Sequence, residues 1–261
     1  MNALAPLPRR IAVALALPAA LIAAWWITSA GSENFYFPPL QTIVQTFGKL
    51  WFSPPALSDV VPSLWRFSVG YLAAAFLGIA IGVPVGASRN LRNVLEPVLE
   101  FLRAIPPPVL VPVLILFAGI GNEMKALVIV FGCIWPVLLN TVAGVRALDE
   151  VLAETVRSYR IGPFARLWHF MLPGASPQIF TGLRQALPIG IILMVVSEMF
   201  AASDGIGFAL VQYQRTFALP EMWSGIILLG IIGIVLSLIF RAIETRLLGW
   251  YHGLRQSQRA G

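Results

Sequence analysis

Long apolar stretches separated by short polar ones dominate this chain. Six of them approach the ~20 mainly apolar residues that a helix needs to cross a bilayer. They cover residues 11–30, 64–87, 98–118, 124–142, 179–200 and 223–247. The third contains the run Pro106–Pro108, which predicts a kinked helix packed inside a bundle, where neighbouring helices can satisfy the freed carbonyls. The pattern predicts an all-α integral membrane protein with about six transmembrane helices.

The segment between the first two spans has apolar residues at helical spacing. Ile43, Val44, Phe47, Leu50 and Trp51 form this set. The spacing predicts an amphipathic helix lying against the bundle on the outer side, and a loop that merely covers the spans is the alternative. We therefore expect an N-terminal region over 1–63, a core domain over 64–250 and a cytoplasmic tail over 251–261.

Small residues recur at four-residue steps in the second span. Gly78, Gly82 and Gly86 fall on one helix face. This spacing lets another helix approach closely, either within the chain or between two subunits.

Composition agrees with a membrane protein, since 58% of the residues are hydrophobic and 11% are charged, against roughly 25% charged in soluble domains. Fourteen basic residues lie on one side of the predicted spans and four on the other. The positive-inside rule then places both termini, and the polar segment 143–178, in the cytoplasm. The net charge of +6 therefore reflects topology and does not indicate nucleic-acid binding. A multi-pass protein of the inner membrane is expected.

The sequence lacks the motifs of several enzyme classes. No GxxxxGK[ST] phosphate loop precedes either lysine, and His169 and His252 lack metal-ligand spacing. Ser197 stands beside Glu198 without a nearby base to activate its hydroxyl. We expect no catalytic residue, no metal and no cofactor in this chain.

The most polar stretch runs from Glu150 to Pro173. Its apolar positions predict an amphipathic helix over about 149–161, with acidic residues toward the start and Arg157 and Arg160 toward the end, which suits the helix dipole. Gly162 and Pro163 should end it. Such a helix either rests on the membrane surface or docks into a groove on a partner, and the residues alone leave both open.

The same stretch resembles the signature loop of permease subunits in bacterial ATP-binding-cassette (ABC) importers. That loop reads Glu-Ala-Ala, three residues, Gly, nine residues, Ile, one residue, Leu-Pro. Glu154 and the pair Leu172-Pro173 match the frame. Four inner positions differ, since Thr155, Val156, Arg160 and Phe170 replace the two alanines, the glycine and the isoleucine. The runs RSYRI, SPQIFTGLRQAL and VSEMFAASDGIG resemble the branch that serves sulfonate, nitrate and taurine.

The resemblance implies a type I importer bundle in which the loop forms a coupling helix on a separate ATPase, and that ATPase would hold ATP and Mg. It also implies a homodimer of permeases, two ATPase subunits and an external solute-binding protein, all in contact with membrane lipid. The expected coupling residues are Glu150, Glu154, Thr155, Val156, Arg157, Ser158, Tyr159, Arg160, Gly162, Leu172 and Pro173.

A carboxylate late in the fifth span is costly to place there, so Glu198 lines the translocation pathway, pairs with an arginine, or lies at the outer boundary next to Asp204. Met194, Ser197 and Met199 are its neighbouring pathway candidates. A stand-alone secondary carrier or channel is the alternative function, but it would need coupling-ion sites at mid-membrane, where carboxylates are scarce.

Overall fold

The computed structural model describes residues 7–200 and 202–251, with side chains from residue 16 onward. Helices and short connections account for all of these residues, and no strand occurs among them, so the predicted all-α class is confirmed. The predicted tail 251–261 lies outside the described residues except for Tyr251. In chain order the helices are α1 (Leu7–Ser29), α2 (Leu40–Trp51), α3 (Pro54–Ala87), α4 (Arg89–Ala104), α5 (Val111–Ala118), α6 (Asn122–Arg146), α7 (Glu150–Ser158), α8 (Pro163–Arg166), α9 (Leu172–Phe200), α10 (Ile206–Arg215) and α11 (Leu219–Leu247).

Four described helices are long and apolar enough to cross a membrane. They are α3, α6, the continuous helix Pro163–Phe200 and α11. The pair α4 and α5 makes a fifth if it is counted as one span. In the first predicted span, the part with described side chains is a shorter apolar helix, Ala16–Ser29.

The predicted third span is not one kinked helix. Arg89–Ala104 and Pro107–Ala118 form a pair bent by 83°, with a 3-10 turn over Pro107–Leu110 between α4 and α5. Three consecutive prolines cause the break, because none can donate a backbone N–H and each disfavours helical backbone in the residue before it. Ile105 is accordingly extended, with φ −76° and ψ 117°.

The chain divides into two compact units. The first contains the described residues up to Leu57 together with Ala209–Leu229. In it, α2 forms where the spacing predicts a helix, with Leu40, Ile43 and Trp51 buried. The Trp51 indole N–H donates to the Ser224 hydroxyl at 3.0 Å, which holds α2 against the first half of α11.

The second unit covers Ser58–Phe208 and the described residues from Gly230 onward. Within it, α3 packs closely on α6 through its glycines. A Cβ placed on Gly78, Gly82 or Gly86 would lie 2.9, 2.7 or 2.8 Å from Val137, Thr141 or Val145, respectively. The predicted glycine face therefore serves helix packing inside this chain, where backbones can approach only if no side chain intervenes.

Candidate functional site

The polar stretch from Glu150 to Pro173 contains the short helix α7. Asp149 caps it, since its carboxylate accepts the backbone N–H of Leu152 at 2.9 Å. Glu150 lies in the first turn and Arg157 in the last, as the dipole argument expects. The helix ends at Ser158, a little before the predicted end, because the chain reverses at the next two residues.

Arg160 has a left-handed backbone, with φ 51°. Its N–H donates to the Arg157 carbonyl at 2.9 Å, and the Ile161 N–H donates to the Val156 carbonyl at 3.2 Å. This pair of bonds is the Schellman arrangement that ends many helices, usually with glycine at the left-handed position. Arg160, which replaces the signature glycine, thus occupies the left-handed position that glycine usually takes at the end of a helix.

The second half of the stretch leads directly into a membrane span. Gly162 precedes α8, and a wider π turn, Leu167–Met171, joins α8 to α9. The Leu172 N–H donates to the Leu167 carbonyl, five residues back. Pro173 follows and has no N–H to continue the ordinary ladder. Leu172 and Pro173 are thus part of one continuous helix, Pro163–Phe200.

The end of the polar stretch packs against the buried core between the long apolar helices. Phe170 and Leu172 pack against a buried cluster. Its members are Val83, Val145, Met171, Ala175 and Ile179, contributed by α3, α6, the π turn and α9. A force applied to α8 is therefore transmitted to three membrane helices through close-packed apolar contacts.

Between Val151 and Trp168, in contrast, the polar stretch exposes large apolar side chains. Six are exposed, namely Val151, Leu152, Tyr159, Ile161, Phe164 and Trp168, and α7 has no buried residue. Tyr159, next to the reversal, is 78% exposed. Exposed apolar groups clustered on a structured segment indicate an interaction surface.

A second polar site lies at the opposite end of α9, where Glu198 pairs with Arg66 of α3. The two are 1% and 3% exposed, and Arg66 Nη1 donates to Glu198 Oε1 at 2.8 Å. Arg66 also forms an ion pair with Asp204, and its Nε donates to the Asn122 side-chain oxygen at 2.7 Å. Each donor face of the guanidinium thus meets an oxygen, as burial of a charge requires.

The loop before α10 wraps around the Glu198 carboxylate. The Ser63 hydroxyl donates to it at 2.8 Å, and the Gly207 N–H donates at 3.0 Å. Gly205 has φ 114°, and a Cβ there would lie 2.5–2.7 Å from the carboxylate atoms. The Gly205 N–H donates to Asp59 at 2.9 Å. Backbone and side chains together hold this loop on α3 and α9.

Lys125 of α6 brings a second cation to this cluster. It is 4% exposed and lines an open pocket of about 500 Å³ with Arg66, Asn122 and Asp204. Two cations, Arg66 and Lys125, thus face two carboxylates, Glu198 and Asp204. This balance explains how the site keeps four charges at the edge of the apolar spans.

The four pathway candidates do not share one environment. Met194, Ser197 and Glu198 are buried within the chain, and the Ser197 hydroxyl donates to the Met194 carbonyl at 2.9 Å. Met199 is exposed. For Glu198 the structure shows an arginine partner, which is one of the alternatives that the sequence left open. Contact of these residues with solute stays a prediction.

Sequence reasoning missed Ser63 and Arg66 as partners of Glu198, and Asn122 and Lys125 as the neighbours of Arg66 in the same pocket. A signal was present, because Arg66 lies near the start of the apolar segment 64–87 and a basic residue there needs a carboxylate. Arg66 and Lys125 are two of the four basic residues on the less basic side of the predicted spans, and a rule about topology does not indicate that either one is paired. No group of His, Cys, Asp or Glu able to hold a metal occurs in the described part of the chain.

Residues 74–249 match the family described as "Binding-protein-dependent transport system inner membrane component". The chain belongs to this family. It is therefore a multi-pass inner-membrane permease of an ABC transporter, and such permeases are not themselves enzymes.

Three relatives confirm the branch that the sequence resembles. The Escherichia coli taurine transport system permease protein TauC is 30% identical over 253 residues, 94% of this chain and 92% of the relative. A Bacillus subtilis transport permease named for aliphatic sulfonates is 31% identical, covering 90% and 86%. The nitrate import permease protein NrtB of Synechocystis sp. is 28% identical, covering 91% and 89%. The chain is a permease of the sulfonate, nitrate and taurine type.

Solved structures confirm the importer fold. An inward-facing structure of the MetNI methionine ABC transporter matches with a TM-score of 0.60 and 19% identity, covering 75% of this chain and 99% of that one. An amino acid ABC transporter matches with a TM-score of 0.55 and 16% identity, covering 82% and 97%.

Proposed function

We propose that this chain is the membrane subunit through which an ATP-driven importer moves a small solute with an anionic group, of the sulfonate, nitrate or taurine kind. The relatives named for these solutes cover most of the chain, which supports the proposal. Two copies would form the pathway, with both termini in the cytoplasm. An external binding protein would deliver the solute, and a separate ATPase would bind ATP and Mg.

The docking surface for that ATPase is the set of exposed apolar side chains between Val151 and Trp168. The exposed apolar residues on and after α7 carry this proposal, because in the proposed orientation they face the cytoplasm and a partner groove would bury them. Burying one side chain such as Val151 or Leu152 stabilises a complex by about 1.5–3 kcal/mol. Glu154 and Arg157 flank this surface and would set the register of docking.

Transport would depend on both ends of the stretch, because α7 docks on the ATPase while Phe170 and Leu172 pack on the membrane helices. Closure of the ATPase dimer would draw the two α7 helices together. The packing of Phe170 and Leu172 on the core would convert that movement into a rotation of the membrane helices, turning the pathway from inward-facing to outward-facing. The chain's own contribution is stiffness, which comes from the Asp149 cap and the reversal at Arg160.

The proposal is tested by Val151→Asp and Glu154→Lys, made separately in the full transporter. Each should reduce co-purification of the ATPase about tenfold or more, since about 1.4 kcal/mol is lost per tenfold, and should abolish uptake. Glu96→Lys is the matched control, because Glu96 is an exposed carboxylate of α4 outside the stretch. Unchanged assembly and uptake in both variants would remove the docking role.

The solute is tested separately, by uptake of labelled taurine, an alkane sulfonate and nitrate in a deletion strain complemented with the whole system. Uptake of at least one should depend on ATP and on the binding protein. Uptake that persists without the ATPase would instead support a stand-alone carrier.

A further inference from the structure

A groove runs along the second half of α11 where it packs on α9. Its lower part is polar, with a volume of about 490 Å³, and is lined by Arg184, Ser237, Arg241, Glu244 and Thr245 among others. Its upper part, of about 460 Å³, is apolar. Pro188, Ile191, Gly230, Gly233, Ile234 and Leu238 line the apolar part. Leu187, Ser237 and Arg241 line both parts, so the two are continuous.

The length of the groove matches one leaflet of a bilayer. Gly230 and Arg241 are separated by roughly 16 Å along the helix, at about 1.5 Å per residue. Half of a hydrocarbon core of about 30 Å is close to this distance. Because Arg241 is near the end of α11, the polar part of the groove falls at the membrane boundary and the apolar part falls inside the bilayer.

The charges of the polar part favour an anion. Arg184 forms an ion pair with Glu244. In the described part of the chain Arg241 makes no ion pair, although it lines both parts of the groove. Two guanidinium groups against one carboxylate leave one net positive charge. In the proposed orientation this charge faces the cytoplasmic leaflet, where basic pockets between membrane helices bind anionic lipid headgroups.

The apolar part has room for a flexible chain. A Cβ on Gly230 would meet no atom within 4 Å, and one on Gly233 would only touch Ile191, at 3.7 Å. The most apolar window of α11 has no buried residue, and Ile231, Ile234 and Leu238 are exposed. The groove is therefore an open trough on a helix that the chain itself does not cover.

We propose that this groove binds one anionic phospholipid of the inner leaflet, with its phosphate between Arg184 and Arg241 and an acyl chain along Gly230 and Gly233. The lipid would fill the trough between α9 and α11 and fix their spacing. This site is separate from the docking stretch and goes beyond the transport function. It stands whether or not α7 binds an ATPase.

Native mass spectrometry of the purified transporter, titrated with phosphatidylglycerol or phosphatidylcholine, tests the site. Arg241→Gln should weaken phosphatidylglycerol retention about fivefold, the effect of about 1 kcal/mol per basic residue at a membrane surface, and leave phosphatidylcholine retention unchanged. Arg246→Gln is the control, because Arg246 is exposed on the same helix. Equal loss in both variants, or none in either, would overturn the proposal.

Gly230→Leu tests the acyl-chain part, since it fills the trough with a residue of better helix propensity. Retention of both lipids should fall severalfold, whereas Gly249→Leu, at a position equally free of close atoms but outside the groove, should retain both. Two results would overturn the lipid assignment. One is a Gly230→Leu variant that dissociates into single permease subunits with lipid retention intact, which would make the groove a contact between copies. The other is displacement of phosphatidylglycerol by millimolar inorganic phosphate with no effect of Gly230→Leu, which would make it a site for a soluble anion.

Discussion

The ion pair between Arg66 and Glu198 makes a quantitative prediction about stability. Both side chains are almost fully buried, and their contact is 2.8 Å. Breaking such a pair by removing one partner costs about 3–5 kcal/mol, because the other charge stays buried. Glu198→Met also deprives Ser63 and the Gly207 N–H of their acceptor, and a buried unsatisfied group costs about 1–3 kcal/mol. We therefore expect Glu198→Met to be the more damaging of the two single changes.

The double variant distinguishes a true pair from two independent residues. Arg66→Met combined with Glu198→Met removes one charge of each sign and leaves Lys125 facing Asp204, so the site stays balanced. Replacing a whole buried pair by apolar residues is often neutral or better. The free energy of unfolding lost in the double variant should therefore be smaller than the sum of the two single losses by about 2 kcal/mol or more.

The measurement is reversible unfolding of the purified permease in mixed micelles, followed by tryptophan fluorescence as the denaturing detergent fraction rises. Asp204→Asn serves as the control for the outer partner of Arg66. Its side chain is 43% exposed, so its loss should cost about 1 kcal/mol or less. If the two single losses add in the double variant to within about 0.5 kcal/mol, the residues do not interact and the reasoning fails.

Two further predictions concern backbone positions. Arg160→Gly should relieve a left-handed backbone strain of about 1–2 kcal/mol. Protection of the Ile161 amide in hydrogen exchange should therefore rise about 5–30-fold. Arg160→Ala keeps the strain, and equal protection of the amide in the two variants would contradict the argument. Gly205→Ala should lower the melting temperature of the permease, because its Cβ would lie 2.5–2.7 Å from the Glu198 carboxylate. Gly119→Ala is its control, with φ 70° and no atom within 4 Å of the new Cβ, and an equal fall there would show that backbone strain alone is responsible.

Periodicity in the sequence located most of the fold. The spans around 64–87, 124–142, 179–200 and 223–247 and the helix near 150 contain long apolar or amphipathic patterns, which local composition determines. The break after α4 was underestimated, because one proline kinks a membrane helix whereas Pro106–Pro108 remove three successive donors. The structure shows the result as a bend of 83° between the two helices.

The two sites differ in how far the sequence could reveal them. Glu154 and Leu172-Pro173 stand at fixed spacing within one segment, so the sequence alone shows the signature frame, and the docking role of that segment stays a prediction. Arg66, Lys125 and Glu198 lie in three different helices, and only tertiary packing brings them together. The left-handed backbone of Arg160 was equally hidden, because arginine rarely adopts it and no local pattern indicates it.

A single helix connects the polar stretch around α7 to the buried charges. Pro163–Phe200 continues without a break for 38 residues, with α8 at its start and Glu198 two residues from its end. Near the start it is held by the cluster around Met171 and Ala175, and at the end by Arg66. Both anchors involve α3, so a push on α8 cannot slide this helix along α3 without separating two buried charges, which costs about 3–5 kcal/mol. We therefore expect α3 and this helix to move as one body during transport, with the bending confined to connections such as the bend at Pro106–Pro108.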